Sequence, residues 1–177
     1  MILFKLFLLL FAFGAQAFEC EPVEFRLITY EPAIVMTDAT IMENHLGRTV
    51  VDFNIFVDEG DCPGSVAFNV GYSSVKIHVH DKFRRGSCEF YAIVDHEAKH
   101  VEAYSRVLRR YAQLFEEELV ILQYRLNRNI AEIRREIEKS QNISNIHNLM
   151  KAELERENAA IDTPAESQRV RALCRNW

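Results

Sequence analysis

The sequence HEAKH at residues 96–100 has the residue types and the spacing of a metal site. Histidines four positions apart on a helix lie on one face, one turn above the other, so His96 and His100 can reach the same ion. Glu97 follows the first histidine directly, where its carboxylate can hold and deprotonate a metal-bound water. The apolar residues around the motif predict a helix packed against a core. The alternative is a surface helix whose two histidines and glutamate have no common role.

A catalytic zinc site uses three protein ligands and a water, so one ligand is missing from the motif. A helix rises about 1.5 Å per residue, and the third ligand therefore cannot come from this helix much beyond its next turn. The carboxylates later in the chain are the candidates: Glu153, Glu157 and Asp162. We favour Asp162, because it stands at a predicted helix end before a threonine and a proline. The alternative role for Asp162 is to cap the last helix.

Other polar residues lie close to the motif. Tyr104 is one turn beyond His100 on the same face, where it either donates a hydrogen bond to a developing oxyanion or packs in the core. Asp95 could orient an imidazole from outside the ligand set. His78 and His80 share one face of a predicted strand, either as a second metal-binding pair or as an ordinary pair on a wet face.

The first half of the chain, residues 18–88, alternates apolar and polar residues and predicts a small antiparallel sheet with one wet face. Residues 71–74 separate the last two predicted strands, and residues 33–42 could add a fifth. The predicted strands are residues 23–27, 51–55, 66–70 and 75–79.

The second half, residues 89–177, changes to a helical period, with apolar residues every three or four positions. Such a stripe usually means core or helix–helix contact. The pattern predicts a long helix with a break near residues 127–129, then a return helix, so that the fold class is α+β with a helical hairpin behind the sheet. The remaining predictions are a polar turn at 140–145, a helix at 146–161 and a short helix at 166–174.

Residues 1–17 resemble a secretory signal peptide, with Lys5 before a short apolar run and small residues before the cleavage position. A permanent membrane anchor is the alternative, but the run is short for a span. We therefore expect one secreted or periplasmic domain, residues 18–177, without a membrane span after cleavage. The net charge of −5 excludes a basic footprint for nucleic acid.

The four cysteines all lie in the predicted mature part. An even count in an exported chain indicates two disulfides, although spacing alone does not fix the pairing. We expect Cys62–Cys88, which would tie a turn to the start of the motif helix. We expect Cys20–Cys174 as the second pair, which would tie the two chain ends together.

The H-E-x-x-H motif between a strand-rich half and a helical half resembles the zincin metallopeptidases. More narrowly, it is similar to small exported bacterial proteins of the predicted zinc-dependent protease type. The resemblance covers residues 96–104 and the run before them. It implies a Zn²⁺ cofactor, a protein or peptide substrate, His96 and His100 as ligands, and Glu97 as the catalytic base and acid. The third histidine of metzincins and the second glutamate motif of thermolysin-type enzymes are absent.

Two other functions fit the same pattern. The chain could be a non-catalytic exported protein whose long helices bind a partner, or a zinc-dependent amidase that acts on the cell wall. The metal content of a His96→Ala variant separates the first of these from an enzyme, and cleavage of muropeptides without cleavage of proteins identifies the second.

Overall fold

The computed structural model describes residues 21–42, 45–175 and 177. The predicted signal peptide and Cys20 lie outside the described residues. Within them the chain is mixed α and β, with a small sheet followed by helices. The elements in chain order are β1 (Val23–Ile28), β2 (Ala33–Thr37), α1 (Ala39–Met42), β3 (Gly47–Glu59), β4 (Val66–His80), α2 (Cys88–Arg125), α3 (Ile130–Lys139), α4 (Gln141–Ile161) and α5 (Pro164–Ala172).

The sheet is mixed, and β4 is its centre. β3 pairs antiparallel with β4 along almost its whole length. β1 and β2 are parallel to β4, and because β3 occupies one edge of β4 throughout, both must lie on the other edge. Both pair with β4 in the same register, because Ile28 lies opposite Gly71 and Ala33, five positions later, lies opposite Lys76. They are therefore two halves of one edge strand, interrupted around Pro32, whose missing N–H cannot pair.

The prediction of an antiparallel sheet is thus wrong for β1 and β2, and right for the pairing of β3 with β4. Alternating hydrophobicity identifies a strand and its buried face, but it carries no information about the direction of the partner strand. The possible fifth strand at residues 33–42 is present in its first part, as β2.

A β-bulge explains why the sequence of β4 reads as two strands. The ladder with β3 shifts register between Asp52 and Phe53, which leaves Ser73 as an extra residue on β4. The buried side chains change phase there, from even to odd positions. The prediction of two strands separated at residues 71–74 is therefore wrong. The buried apolar residues of β4 larger than alanine are Val66, Phe68, Val70, Tyr72, Val75, Ile77 and Val79.

The helices begin and end at identifiable caps. The Ser87 side chain accepts a hydrogen bond from the backbone N–H of Phe90 and starts α2. Beyond α2, Asn127 and Arg128 have positive φ, so the predicted break at 127–129 is confirmed. The predicted turn at 140–145 is wrong, because Ser140 alone separates α3 from α4 and caps the latter through its side chain.

Helices α2 and α4 pack antiparallel and cover the same face of the sheet. Arg106 bonds Glu157 at 2.8 Å, and Arg110, one turn further on, bonds both Glu157 and Glu153. Between them lies the main core, whose largest fully buried members are Phe68, Phe115, Leu108, Leu119, Ile133 and Met150. The return of α4 along α2 brings the end of α4 back to the motif.

A disulfide joins Cys88, at the start of α2, to Cys174, beyond α5. Both predicted pairings are therefore wrong. The physical reason is that α5 packs beside the first turns of α2, where Ala92, Val170 and Cys174 form a small buried cluster. Cys62 is disulfide-bonded as well. Such bonds are typical of proteins in an oxidising compartment.

A search of the described helices for a membrane span finds none with the length and apolarity that a span requires.

The disulfide closes a long loop, because its cysteines are 86 positions apart in the sequence. We expect the Cys88→Ala/Cys174→Ala double variant to lose about 2–5 kcal/mol of unfolding free energy, because the open chain gains conformational freedom when it unfolds. Urea unfolding followed by circular dichroism measures the difference. An unchanged urea concentration at the midpoint, with an unchanged dependence of the unfolding free energy on urea, would contradict the stabilising role of this disulfide.

The link between α2 and α4 should depend on pH. The hydrogen bond from Arg106 is the main cause that lowers the pKa of Glu157 below its ordinary 4.5. The contribution of this ion pair to the free energy of unfolding is therefore complete above pH 4.5. It is lost as the pH falls through the lower pKa that Glu157 has in the folded protein. We expect Glu157→Gln to destabilise the fold by about 0.5–1 kcal/mol at pH 7 and by less at pH 3.

Thermal unfolding of both proteins across this pH range provides the test. Glu155→Gln is the matched control, because Glu155 is exposed on the same helix. It has no ion pair with the residues that the structure describes. A pH-independent difference between wild type and Glu157→Gln would refute the assignment.

Candidate metal centre

The motif lies in the third turn of α2, on the side that faces the end of α4 and the start of β3. The rings of His96 and His100 are adjacent, with centroids 5.2 Å apart and planes nearly perpendicular. Ligand atoms of these histidines and of Glu97 lie within 4.8 Å of one another, and the three residues form a group that could hold a metal ion. The helix therefore places the two imidazoles together, as their spacing predicts.

The carboxylate of Asp162 approaches the two imidazoles from the end of α4. Its Oδ1 lies 3.1 Å from His96 Nε2 and 3.1 Å from His100 Nε2. Asp162 is the residue that ends α4, and Thr163 caps α5 by accepting a hydrogen bond from the backbone N–H of Glu166. The Asp162 carboxylate is therefore not used to cap the last helix and is directed to the histidines.

The outer nitrogen of each ring faces an oxygen of another residue. His100 Nδ1 lies 2.9 Å from Asn158 Oδ1. An amide oxygen only accepts, so the proton of this bond is on Nδ1. The orientation of the amide agrees, because Asn158 Nδ2 donates to Tyr104 Oη at 3.3 Å. In a neutral ring this arrangement leaves the lone pair of Nε2 facing Asp162.

The corresponding nitrogen of the other ring is held more loosely. His96 Nδ1 is buried and lies 3.5 Å from Glu166 Oε1, without meeting the geometry of a hydrogen bond. Hydrogen bonds from Arg169 and Lys99 lower the pKa of Glu166, in that order of size, so it is a carboxylate at neutral pH. An anion at this distance favours the tautomer with the proton on Nδ1.

The donor set fits a small tetrahedral cation. Two imidazole nitrogens with free lone pairs and one carboxylate oxygen face each other, and a cation among them satisfies all three acceptors. Two ligands about 2.0–2.1 Å from a tetrahedral zinc ion lie about 3.3–3.4 Å apart. The separations of 3.1 Å from Asp162 Oδ1 to each histidine are close to that value. Nitrogen and oxygen ligands in this number are suitable for zinc and for several other divalent metals.

Glu97 is buried beside this set. Its Oε2 accepts a hydrogen bond of 2.8 Å from the hydroxyl of Thr49 on β3. Burial is the main cause that raises the pKa of Glu97, while Thr49 and the two imidazoles act in the opposite direction. Gly47 provides the space, because a Cβ there would lie 2.7 Å from Glu97 Oε1. The carboxylate is thus held between the motif helix and the edge of the sheet.

The other sequence candidates lie elsewhere. Glu153 and Glu157 form ion pairs with arginines of α2, so they are engaged away from the histidines. Asp95 is exposed and has no hydrogen bond to either imidazole. His78 hydrogen-bonds Thr37 and His80 pairs with Asp81, and neither belongs to a metal-binding group among the described residues.

Tyr104 lies at the edge of the site, where its ring packs at the border of the core and its hydroxyl contacts Asn158. Its ring packs edge-on against Tyr72, with centroids 5.6 Å apart, at the border of the core. Its hydroxyl accepts from Asn158, which leaves the phenolic hydrogen free to donate.

Three contributors were missed from sequence: Thr49, Asn158 and Glu166. Asn158 carries a usable signal, because it lies one helical turn before Asp162 and therefore on the same side of α4. Thr49 and Glu166 carry none, since their approach depends on how β3 and α5 pack on α2.

These residues line a cleft of about 720 Å³, which we call the histidine cleft. Its walls come from the start of β3, from α2, from the end of α4 and from α5. Its lining residues are His45, Leu46, Gly47, Arg48, Thr49, Ile93, His96, Glu97, His100, Tyr104, Asn158, Asp162, Ser167, Val170 and Arg171.

Comparison with protein-family models, with curated proteins and with solved structures finds no match to this chain. The resemblance to zincins therefore depends on the motif alone.

We expect wild-type protein to bind one zinc ion per chain and the His96→Ala, His100→Ala and Asp162→Ala variants to lose it, because each removes a converging acceptor. Asn158→Leu should keep the site with about 10–100-fold lower affinity, because His100 is no longer oriented. Competition with a chromophoric chelator measures both effects. His78→Ala is the control and should bind zinc as wild type does. Full zinc retention in Asp162→Ala would exclude Asp162 as a ligand.

Proposed function

We propose that this protein is an exported zinc-dependent peptidase. The observation that supports the proposal most directly is the position of Asp162 Oδ1, 3.1 Å from Nε2 of both motif histidines. It would supply the third ligand that the motif lacks, from the residue that follows α4. His96, His100 and Asp162 would hold the ion. A zinc ion in such a site lowers the pKa of water and polarises a carbonyl group.

Glu97 is proposed to move the proton. It is adjacent to the ligand set, and one of its carboxylate oxygens is fixed by Thr49, which leaves the other free for the reaction. A carboxyl whose pKa is raised by burial is a better proton acceptor at neutral pH than an exposed one. In hydrolysis it takes a proton from the attacking water and gives one to the leaving amine.

Tyr104 is proposed to stabilise charge on the substrate oxygen. Its hydroxyl lines the histidine cleft, and its position is fixed by the amide of Asn158. A donor held in place before the reaction costs no reorganisation when negative charge develops.

The edge of the sheet favours a peptide as substrate. Successive side chains of a strand point to opposite faces, so a cavity that touches several consecutive residues meets the strand at its edge. The histidine cleft touches Gly47, Arg48 and Thr49 in this way. Among the described strands β3 pairs only with β4, so its other edge offers backbone groups to an extended chain. This edge distinguishes a peptide from a glycan substrate.

Export is part of the proposal because of the predicted leader at residues 1–17 and the disulfide between Cys88 and Cys174.

The decisive experiment is peptide hydrolysis by zinc-loaded wild type and by Glu97→Gln. We expect Glu97→Gln to retain zinc but to lose activity by about 10²–10⁴-fold, because it cannot accept a proton. Casein and a set of quenched fluorescent peptides are suitable substrates. Glu116→Gln, on the exposed side of the same helix, is the matched control and should keep wild-type activity.

Three outcomes would reject the proposal. Undiminished cleavage by Glu97→Gln would remove the mechanism. Cleavage of muropeptides without cleavage of any protein would indicate an amidase of the cell wall. Zinc binding without either activity would indicate a non-catalytic protein.

A further inference from the structure

A second cavity, of about 690 Å³, continues the histidine cleft between β3 and α4. We call it the second pocket. Tyr104 and Asn158 line both cavities, so the two cavities are direct neighbours. The proposed reaction uses none of the residues that are specific to the second pocket, and its role is therefore open.

The floor and one wall of the second pocket are apolar. The floor consists of Tyr72, Met150 and Leu154, which are 2%, 1% and 7% exposed. The wall is the ring of Phe53, on which the His147 ring stacks with a centroid distance of 4.8 Å and an angle of 17°. Burial lowers the pKa of His147, so this ring is neutral at pH 7 and adds an uncharged aromatic surface.

Three charged side chains lie on the lining as well, two acidic and one basic. Asp52 and Glu155 are acidic, and Lys151 is basic. All three are exposed, and none has an ion pair with another residue that the structure describes. They therefore stand at the solvent-facing rim, and the interior selects for apolar surface rather than for charge.

The second pocket has a fixed relation to the metal centre. Thr49, which holds Glu97, and Val51, which lines the second pocket, are two positions apart on β3 and face the same side of the sheet. That distance is one strand repeat, about 6.6–6.8 Å. Consecutive residues of β3, Val51 to Asn54, also touch the pocket, so the free edge of the strand runs through both cavities. An extended peptide along this edge directs every second side chain to the same side.

We propose that the second pocket binds a large apolar side chain, of the size of Phe or Leu, from a peptide whose backbone lies along β3 in the histidine cleft. The inference depends on the proposed peptidase function for its substrate, and the pocket acts as the specificity determinant of that substrate. In the bound peptide, the residue whose side chain enters the second pocket is two positions away from the residue that lies beside Glu97. Small and charged side chains at this position leave the apolar floor unfilled or carry charge into it.

Peptide cleavage provides the first test. A series of end-blocked hexapeptides with an alanine background carries Phe at each position in turn, and a matched series carries Ser. We expect one Phe position to increase kcat/KM about tenfold or more over the Ser peptide. His147→Ala, which opens the wall beside Phe53, should reduce that preference. Leu149→Ala is the matched control, because Leu149 is 59% exposed on the same helix and does not line the pocket. Equal cleavage of the Phe and Ser peptides would overturn the assignment.

A binding measurement separates this inference from the proposed reaction. Met150 lies on the pocket floor, so the resonance of its ¹³C-labelled methyl group reports occupation of the pocket without turnover. Met36 and Met42 do not line the pocket and serve as internal references. In the Glu97→Gln protein, the favoured Phe peptide should shift the Met150 resonance and the Ser peptide should not.

The outcomes are distinguishable. A selective Met150 shift in Glu97→Gln, together with no cleavage of any peptide by zinc-loaded wild type, supports the pocket and rejects the peptidase. Cleavage without preference and without a Met150 shift rejects the pocket and leaves the peptidase in place. Absence of a shift with every peptide overturns the inference.

Discussion

The candidate metal centre depends on one arrangement of three acceptor atoms, in which the Nε2 atoms of His96 and His100 face Oδ1 of Asp162. Acceptors at this distance repel each other unless a cation or a proton lies among them. The fold keeps them together with rigid supports on both sides. On one side is a capped helix packed on the sheet, and on the other is the end of α4, held by the ion pairs of Arg106 and Arg110. The energy that positions the site thus comes from the packing of the whole helical layer.

The same dependence explains why the supports come from so many parts of the chain. Asn158 is on α4, Glu166 is on α5 and Thr49 is on β3, and each fixes one side chain of the motif. Helix α5 buries little apolar surface, since Val170 is its only buried residue within the described range. The covalent bond beyond its end compensates for that small contact. A site whose members are ordered by separate elements keeps its geometry only when all of them are docked.

The sequence specifies local features well. The i, i+4 spacing brings His96 and His100 together, and the long helix ends at the Asn127–Arg128 break, where asparagine is one of the few residues that tolerate positive φ. Features that depend on which elements of the chain pack together cannot be read from a short stretch of sequence. The direction of β1 relative to β4, the bulge at Ser73 and the Cys88–Cys174 pair all follow from which surfaces meet. Asp162 was favoured from its place at a helix end, but the residues that orient the histidines required the packed structure.

The interrupted edge strand sets a limit on natural variation in this chain. Because β1 and β2 are aligned with β4 by one common register, the segment 29–32 acts as a spacer of fixed length. An insertion or deletion of one residue there would put β2 out of phase, turn Met36 away from the helices and separate Thr37 from His78. Length differences among descendants of this sequence should therefore avoid the spacer.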